Sequence, residues 1–310
     1  MPLPYHWQIR FARWKQIFGG MFGGSGEKRP QLCPACGALV GIHANRCHEC
    51  GTSLRFSLAA WSKGLSEFFG GHAPVTAVVL IVNVLMFGVS LLATFRAGEG
   101  AGISLLWSLD GRTLERLGAS IPWAIFFGHQ WFRLVTAMFL HNGLLHIGFN
   151  MMVLLDIGPV VEEVYGSARY LFAYIVAGIF GFLLSAVTGH FSVGASGAIV
   201  GLVGILVAIT TKHAGAQIRE MRSRLIGWVI SIFAIGFLMN SGTVGSIRID
   251  NMGHLGGLIA GFALGKIFAD RQPAPGPERT RAYLLGWLAG AVVIAAFVFM
   301  FLHLSDPLPQ

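Results

Sequence analysis

Residues 250–265 read DNMGHLGGLIAGFALG, an apolar run with a single histidine and with glycines at 253, 257, 261 and 265. A four-residue glycine interval lays one smooth ridge along a helix, and such ridges let two backbones approach closely inside a membrane. His254 lies on nearly the same side as Gly257 and Gly261, so it should face whatever helix packs there. Residues 196–211 supply that helix: they begin with Ser196 and carry Gly197, Gly201 and Gly204. A serine and a histidine are thereby expected between two closely packed apolar helices. Taken singly, each feature is ordinary, since a lone histidine in a span is more often a packed polar residue and Gly-x-x-x-Gly occurs in many bundles.

Outward from this pair, the whole chain is apolar. Its 310 residues are 54% hydrophobic and 12% charged, with a mean hydropathy of +0.66. Soluble domains carry about 25% charged residues. Seven spans are expected, at about 75–95, 146–165, 168–188, 196–211, 225–240, 250–269 and 282–303. Each approaches the ~20 residues that cross a ~30 Å hydrocarbon layer, the fourth and fifth falling slightly short. Residues 96–145 are too polar in places to span and are rich in aromatics. The formal charge of +8 calls for no nucleic acid, because cytoplasmic loops of membrane proteins collect Lys and Arg. With the N-terminus inside, only Arg96, Arg112, Arg116, Arg133 and Arg248 of the 22 Lys/Arg fall outside. That asymmetry predicts a cytoplasmic N-terminus and an outer C-terminus.

Topology alone then gathers four polar residues. His146 and Asn150, four apart on one helix face, lie near the outer end of the second span. Ser196 opens the fourth span and His254 lies one turn into the sixth, both of which start outside. All four should sit roughly 5–10 Å below the outer surface at about 1.5 Å per residue. Imidazole titrates close to working pH and can activate a serine. Side-chain N–H groups of His146 and Asn150, with the Ser196 backbone N–H at a helix N-terminus, can stabilise an oxyanion. No Asp or Glu is an obvious third member, so a Ser196–His254 dyad is the economical proposal.

Before the first span, residues 1–30 form a basic aromatic tail and a Gly-rich linker. Trp7, Phe11, Trp14 and Phe18 interleave with Arg10, Arg13 and Lys15, which suits either an interfacial helix or a disordered tail. Residues 31–54 hold Cys33-Pro-Ala-Cys36-Gly and Cys47-His-Glu-Cys50-Gly, and residues 55–73 link them to the spans. Two such knuckles suit one tetrahedral all-thiolate Zn2+ site of Cys33, Cys36, Cys47 and Cys50. His43 and His48 are substitute ligands, and disulfides are disfavoured on the cytoplasmic side. A cytosolic partner or a regulatory input would be the use of such a module.

Several segments together resemble the rhomboid intramembrane proteases, over roughly residues 74–270. They are Trp131-Phe132-Arg133 with Thr136, His141 to Asn150 (HNGLLHIGFN), Gly158 to Tyr170 (GPVVEEVYGSARY), Gly194-Ala195-Ser196-Gly197, and His254 to Gly261 (HLGGLIAG). The resemblance implies an all-α membrane fold: a six-helix bundle, extended here by a seventh span within 271–310 and preceded by the small zinc ribbon. It implies hydrolysis of single-span membrane proteins near the outer face of a bilayer, with a prokaryotic plasma membrane the expected setting and no cofactor for catalysis. Ser196 would be the nucleophile, His254 the base, and His146 with Asn150 the oxyanion donors. His141, Trp131 and Arg133 would be structural or interfacial.

One position departs from the family's pattern. One turn after the serine, where an aromatic usually stacks under the imidazole, stands Val200. Looser control of His254 is expected. Two other readings compete: a rhomboid-like protein that binds membrane clients without cutting them, and a transporter with a polar pathway. The transporter should show an internal repeat and polar groups on both sides; the polar cluster here is one-sided. His190 is a rival base by sequence proximity but belongs to an outer loop. Glu162 and Glu163 are expected to hold cytoplasmic helix ends together.

Overall fold

The computed structural model describes residues 31–32, 39–40, 49, 73–98, 108–241 and 248–304. The chain divides into two compact units, residues 1–72 and 73–310. In the first, strand β1 (Gln31–Leu32) pairs antiparallel with β2 (Leu39–Val40), Gln31 opposite Val40 and Leu32 opposite Leu39. The hairpin brackets residues 33–38. The aromatic tail, the Gly-rich linker, Cys33, Cys36, Cys47, Cys50, His43, His48 and residues 55–72 lie outside the described residues.

The second unit is helical. Helix α1 (Pro74–Arg96) is followed by three short helices, α2 (Gly111–Arg116), α3 (Pro122–Phe126) and α4 (Arg133–Thr136). Long helices then run in sequence: α5 (Leu144–Tyr165), α6 (Ser167–Val187), α7 (Ser196–Lys212), α8 (Ala216–Asn240), α9 (Asn251–Ile267) and α10 (Pro277–Leu302). Five of them, α1, α5, α6, α8 and α10, are long and apolar enough to cross a membrane. The other two expected spans, the fourth and the sixth, correspond to α7 and α9. The two helices that fall short, α7 and α9, are 17 residues each. They are the glycine-rich pair: α7 is buried along most of its length, whereas α9 buries its glycine face and leaves Ile259, Phe262 and Ile267 exposed.

A correction concerns α8. The fifth span was expected to start near 225, after a basic loop, yet the helix begins at Ala216. Arg219, Glu220, Arg222 and Arg224 form its first turns, where good helix formers carry the charge and Arg224 pairs with Glu220 across one turn.

At the centre lies α7, buried from Gly197 to Leu206. It packs along α9 and α6, and the glycine ridges mesh. A Cβ on Gly257 would collide with the backbone of Gly197, one on Gly261 with that of Gly201, and one on Gly204 would stand 2.6 Å from the Leu258 carbonyl oxygen. Gly256 meets α6 in the same way, against the Cα of Gly181 at 3.0 Å. Helices this close gain dispersion contacts along the whole backbone.

The start of α1 is held from α5. Glu162, 1% exposed, accepts hydrogen bonds from the backbone N–H groups of Val75 (3.0 Å) and Thr76 (2.8 Å), the Thr76 hydroxyl (2.7 Å) and the Ser167 hydroxyl (2.6 Å). A carboxylate at a helix N-terminus meets both free N–H groups and the positive end of the helix dipole.

Candidate active site

Three helices present their N-terminal ends to one small region. Ser196 is the first residue of α7, His254 the fourth of α9, and His146 and Asn150 lie in the first two turns of α5. His254 Nε2 stands 2.8 Å from Ser196 Oγ. The contact exists because the α7 and α9 backbones touch through glycine, which leaves a serine and an imidazole just enough room to meet side by side. His254 is 4% exposed, and its Nδ1 has no hydrogen-bond partner among the described residues. The pair therefore lacks a carboxylate orienting the ring from behind. Asp250 caps α9 instead, accepting from the Gly253 N–H at 2.8 Å.

His146 and Asn150 close the opposite side. The His146 Nδ1 accepts from the Asn142 backbone N–H at 3.3 Å. A neutral ring held this way carries its proton on Nε2, and that edge of the ring faces Gly194: a Cβ there would lie 2.8 Å from His146 Nε2. Gly194 has φ +129°, a conformation L side chains rarely adopt. Asn150 Nδ2 donates to the His146 carbonyl at 3.0 Å, which fixes the direction of its amide. Two N–H donors thus stand beside the residues that lead into Ser196.

Residues 108–143, to which sequence reasoning gave little function, hold the loop that carries the serine. Ser192 and Ser120 exchange backbone hydrogen bonds at 3.0 and 3.1 Å. The Gly194 N–H donates to the Ala137 carbonyl at 2.9 Å, and the Ala195 N–H to His141 Nε2 at 3.5 Å. His141 is fully buried, with its ring edge-on to His146 at 5.0 Å. Arg133 in turn ties this segment together: its Nη1 donates to the carbonyls of Glu115 (2.7 Å) and Ala119 (2.9 Å), and its Nε to Gln130 (2.6 Å). Trp131 packs edge-on against Phe126 and remains half exposed. The ties from Ser120, Ala137 and His141 to the serine loop were not legible beforehand because they join residues far apart in the chain.

The other candidates separate cleanly. His190 is exposed and contacts the Thr188 hydroxyl within its own loop. Val200 is buried. The aromatic ring that meets His254 comes from Phe233 on α8, edge-on at 6.2 Å between centroids; no local sequence signal marked it. Among the described residues no cluster of His, Cys, Asp and Glu has metal-binding geometry. Beside Ser196 lies a shallow cleft of about 10 Å³, room for about one water molecule, lined by Gly181, Phe182, Gly194, Gly197, Gly253 and His254, among others.

Comparison with known proteins gives this geometry a family. The Rhomboid domain model matches residues 128–271, which take in all four polar residues. Rhomboid protease GluP of Bacillus subtilis is 33% identical over 245 residues, 78% of this chain and 43% of GluP, so the chain spans less than half the length of that relative. Rhomboid-like protease 2 of Toxoplasma gondii is 34% identical over 249 residues, which cover 78% of this chain and 82% of the relative. RHOMBOID-like protein 6, mitochondrial, of Arabidopsis thaliana is 32% identical, over 63% of this chain and 67% of its own length. With a relative matched over most of its length and the domain model centred on the serine and histidine helices, this chain belongs to the rhomboid family.

Proposed function

We propose that this chain is a serine endopeptidase that works inside the membrane, cutting single-span membrane proteins near the outer face. The observation that carries the reading is the 2.8 Å contact between His254 Nε2 and Ser196 Oγ, made where α7 and α9 pack through glycine. As the peptide carbonyl arrives, Ser196 Oγ attacks its carbon while the hydroxyl proton passes to His254. Negative charge gathers on the carbonyl oxygen, where N–H donors from His146 and Asn150 stabilise it. The tetrahedral intermediate collapses, His254 returns the proton to the leaving amine, and water then hydrolyses the acyl-serine by the same route. These side chains suffice for the reaction, so no cofactor is invoked.

The arrangement in the bilayer completes the proposal: seven spans, with α7 and α9 as the short inner pair, an N-terminus in the cytoplasm, a C-terminus outside, and a prokaryotic plasma membrane. The distribution of Lys and Arg supports it. Cys33, Cys36, Cys47 and Cys50 would hold one structural Zn2+ in the N-terminal unit and offer a docking point for a cytosolic partner. The antiparallel pairing of β1 with β2, which flank Cys33 and Cys36 in the sequence, supports this. Metal analysis should find one zinc per chain, and full retention in a Cys33→Ser plus Cys50→Ser variant would refute it.

The test of the enzyme is hydrolysis of a single-span substrate by purified protein in lipid. Ser196→Ala and His254→Ala should each abolish cleavage with melting unchanged, and a fluorophosphonate should label Ser196 alone. Cleavage that survives either substitution would sink the dyad, and a wild-type chain that neither labels nor cuts would leave a client-binding protein.

A further inference from the structure

Two facts about His254 leave its orientation unexplained by the α7–α9 pairing. Its Nδ1 is buried with no hydrogen-bond partner among the described residues, and the residue one turn below Ser196, Val200, offers no aromatic face. The ring that does meet the imidazole is that of Phe233, nearly perpendicular at 83° and 6.2 Å away. This is within the range in which edge-to-face pairs attract.

Phe233 is itself tied to the histidine's helix. Asn251, three residues before His254 on α9, donates from Nδ2 to the Phe233 carbonyl at 3.2 Å. Gly236, one turn further along α8, makes the room for it: a Cβ at that position would stand 2.8 Å from Asn251 Cγ. A second tie lies at the end of α8, where Asn240 Nδ2 donates to the Ile249 carbonyl at 2.7 Å and its Oδ1 accepts from the Ile249 N–H at 3.0 Å. α8 also packs against α7, though of its residues only Ile218, Leu225 and Gly236 are buried.

We propose that Phe233 is the positioning residue for His254, with Asn251 holding α8 so that the Phe233 ring keeps the imidazole aimed at Ser196. The proposal rests on the dyad reading. It puts the alignment of the base under the control of α8, a mostly exposed helix, so that turnover depends on α8 being seated.

The experiment compares wild type with Phe233→Leu, Phe233→Met, Phe233→Tyr and Asn251→Ala, each purified in the same lipid. Three quantities are read: the rate of fluorophosphonate labelling at Ser196, kcat and KM for a single-span substrate, and the melting temperature. Phe233→Leu and Phe233→Met should slow labelling and lower kcat together, by about fivefold, with KM and melting little changed. Phe233→Tyr, which keeps the ring, should stay within about twofold of wild type, and Asn251→Ala should follow the Leu variant. Labelling at the wild-type rate, or an effect on KM alone, would overturn the proposal and make Phe233 a contact for substrate entry. Should Phe233→Leu fail to fold, Phe233→Met carries the same comparison. A wild-type chain that does not label at all would instead overturn the dyad reading, and this one with it.

Discussion

Gly257 on α9 lies so close to the Gly197 carbonyl on α7 that a single added methyl group would collide with backbone. The neighbouring step, Gly261 against Gly201, has the same geometry. Backbone cannot rotate out of the way as a side chain can, so the two helices would have to part. Ser196 and His254 sit at the end of this seam, and their 2.8 Å contact depends on it.

Gly261→Ala should therefore lower stability by about 1–3 kcal/mol, the range for overpacking a close interface. It should also lower activity more than its distance from Ser196 suggests. Melting in detergent and kcat on a single-span substrate check both. Wild-type melting and turnover would mean that the seam tolerates a methyl group.

Gly194 offers a sharper test of the oxyanion assignment. It needs a positive φ, and a Cβ would press on His146 Cε1 and Nε2 at 2.8 Å. Gly194→Ala should reduce kcat on the order of 10²–10³-fold, as removal of an oxyanion donor does, and Asn150→Ala should do likewise. The fluorophosphonate rate should fall with it. Unaltered kcat in both variants would remove His146 and Asn150 from the mechanism.

Glu162 should matter for folding and not for chemistry. It is buried and accepts four hydrogen bonds that anchor the start of α1. Glu162→Ala leaves the Val75 and Thr76 donors unpaired, at a cost of about 1.5–3 kcal/mol. The expected result is a lower melting temperature with kcat retained in the folded fraction. A variant as stable as wild type would show that water replaces the carboxylate.

Asp270, just beyond α9, pairs with His213 at the end of α7. Partial burial pushes its carboxyl up, but the hydrogen bond from His213 and the charge of Lys212 outweigh this and hold it below the usual range. A depressed carboxylate stabilises the fold above its unfolded pKa of about 4, and that stability is lost as pH falls through the lower folded value. Asp270→Asn should thus melt below wild type at pH 7, and the difference should vanish as pH drops toward about 3. A difference that persists at low pH would mean that the carboxylate charge is not what holds α7 to α9.

Much of this protein is legible in its residues. The apolar runs, the glycines at 253, 257, 261 and 265, and the place of Ser196, His254, His146 and Asn150 near the N-terminal ends of their helices follow from helical period and helix boundaries, which are local properties of the chain. Helix ends are less legible: α8 begins at Ala216 because charged helix formers continue a helix past the point where apolarity stops. Tertiary structure alone decided how the site is held. Phe233 against His254, Ser120 against Ser192, and Ala137 and His141 beneath the serine loop are contacts between residues with no shared period or spacing. Sequence set which chemical groups stand near the N-terminal ends of their helices; packing set which of them touch, because contact depends on helix separation and rotation, and these are fixed only when every buried side chain has found its neighbours.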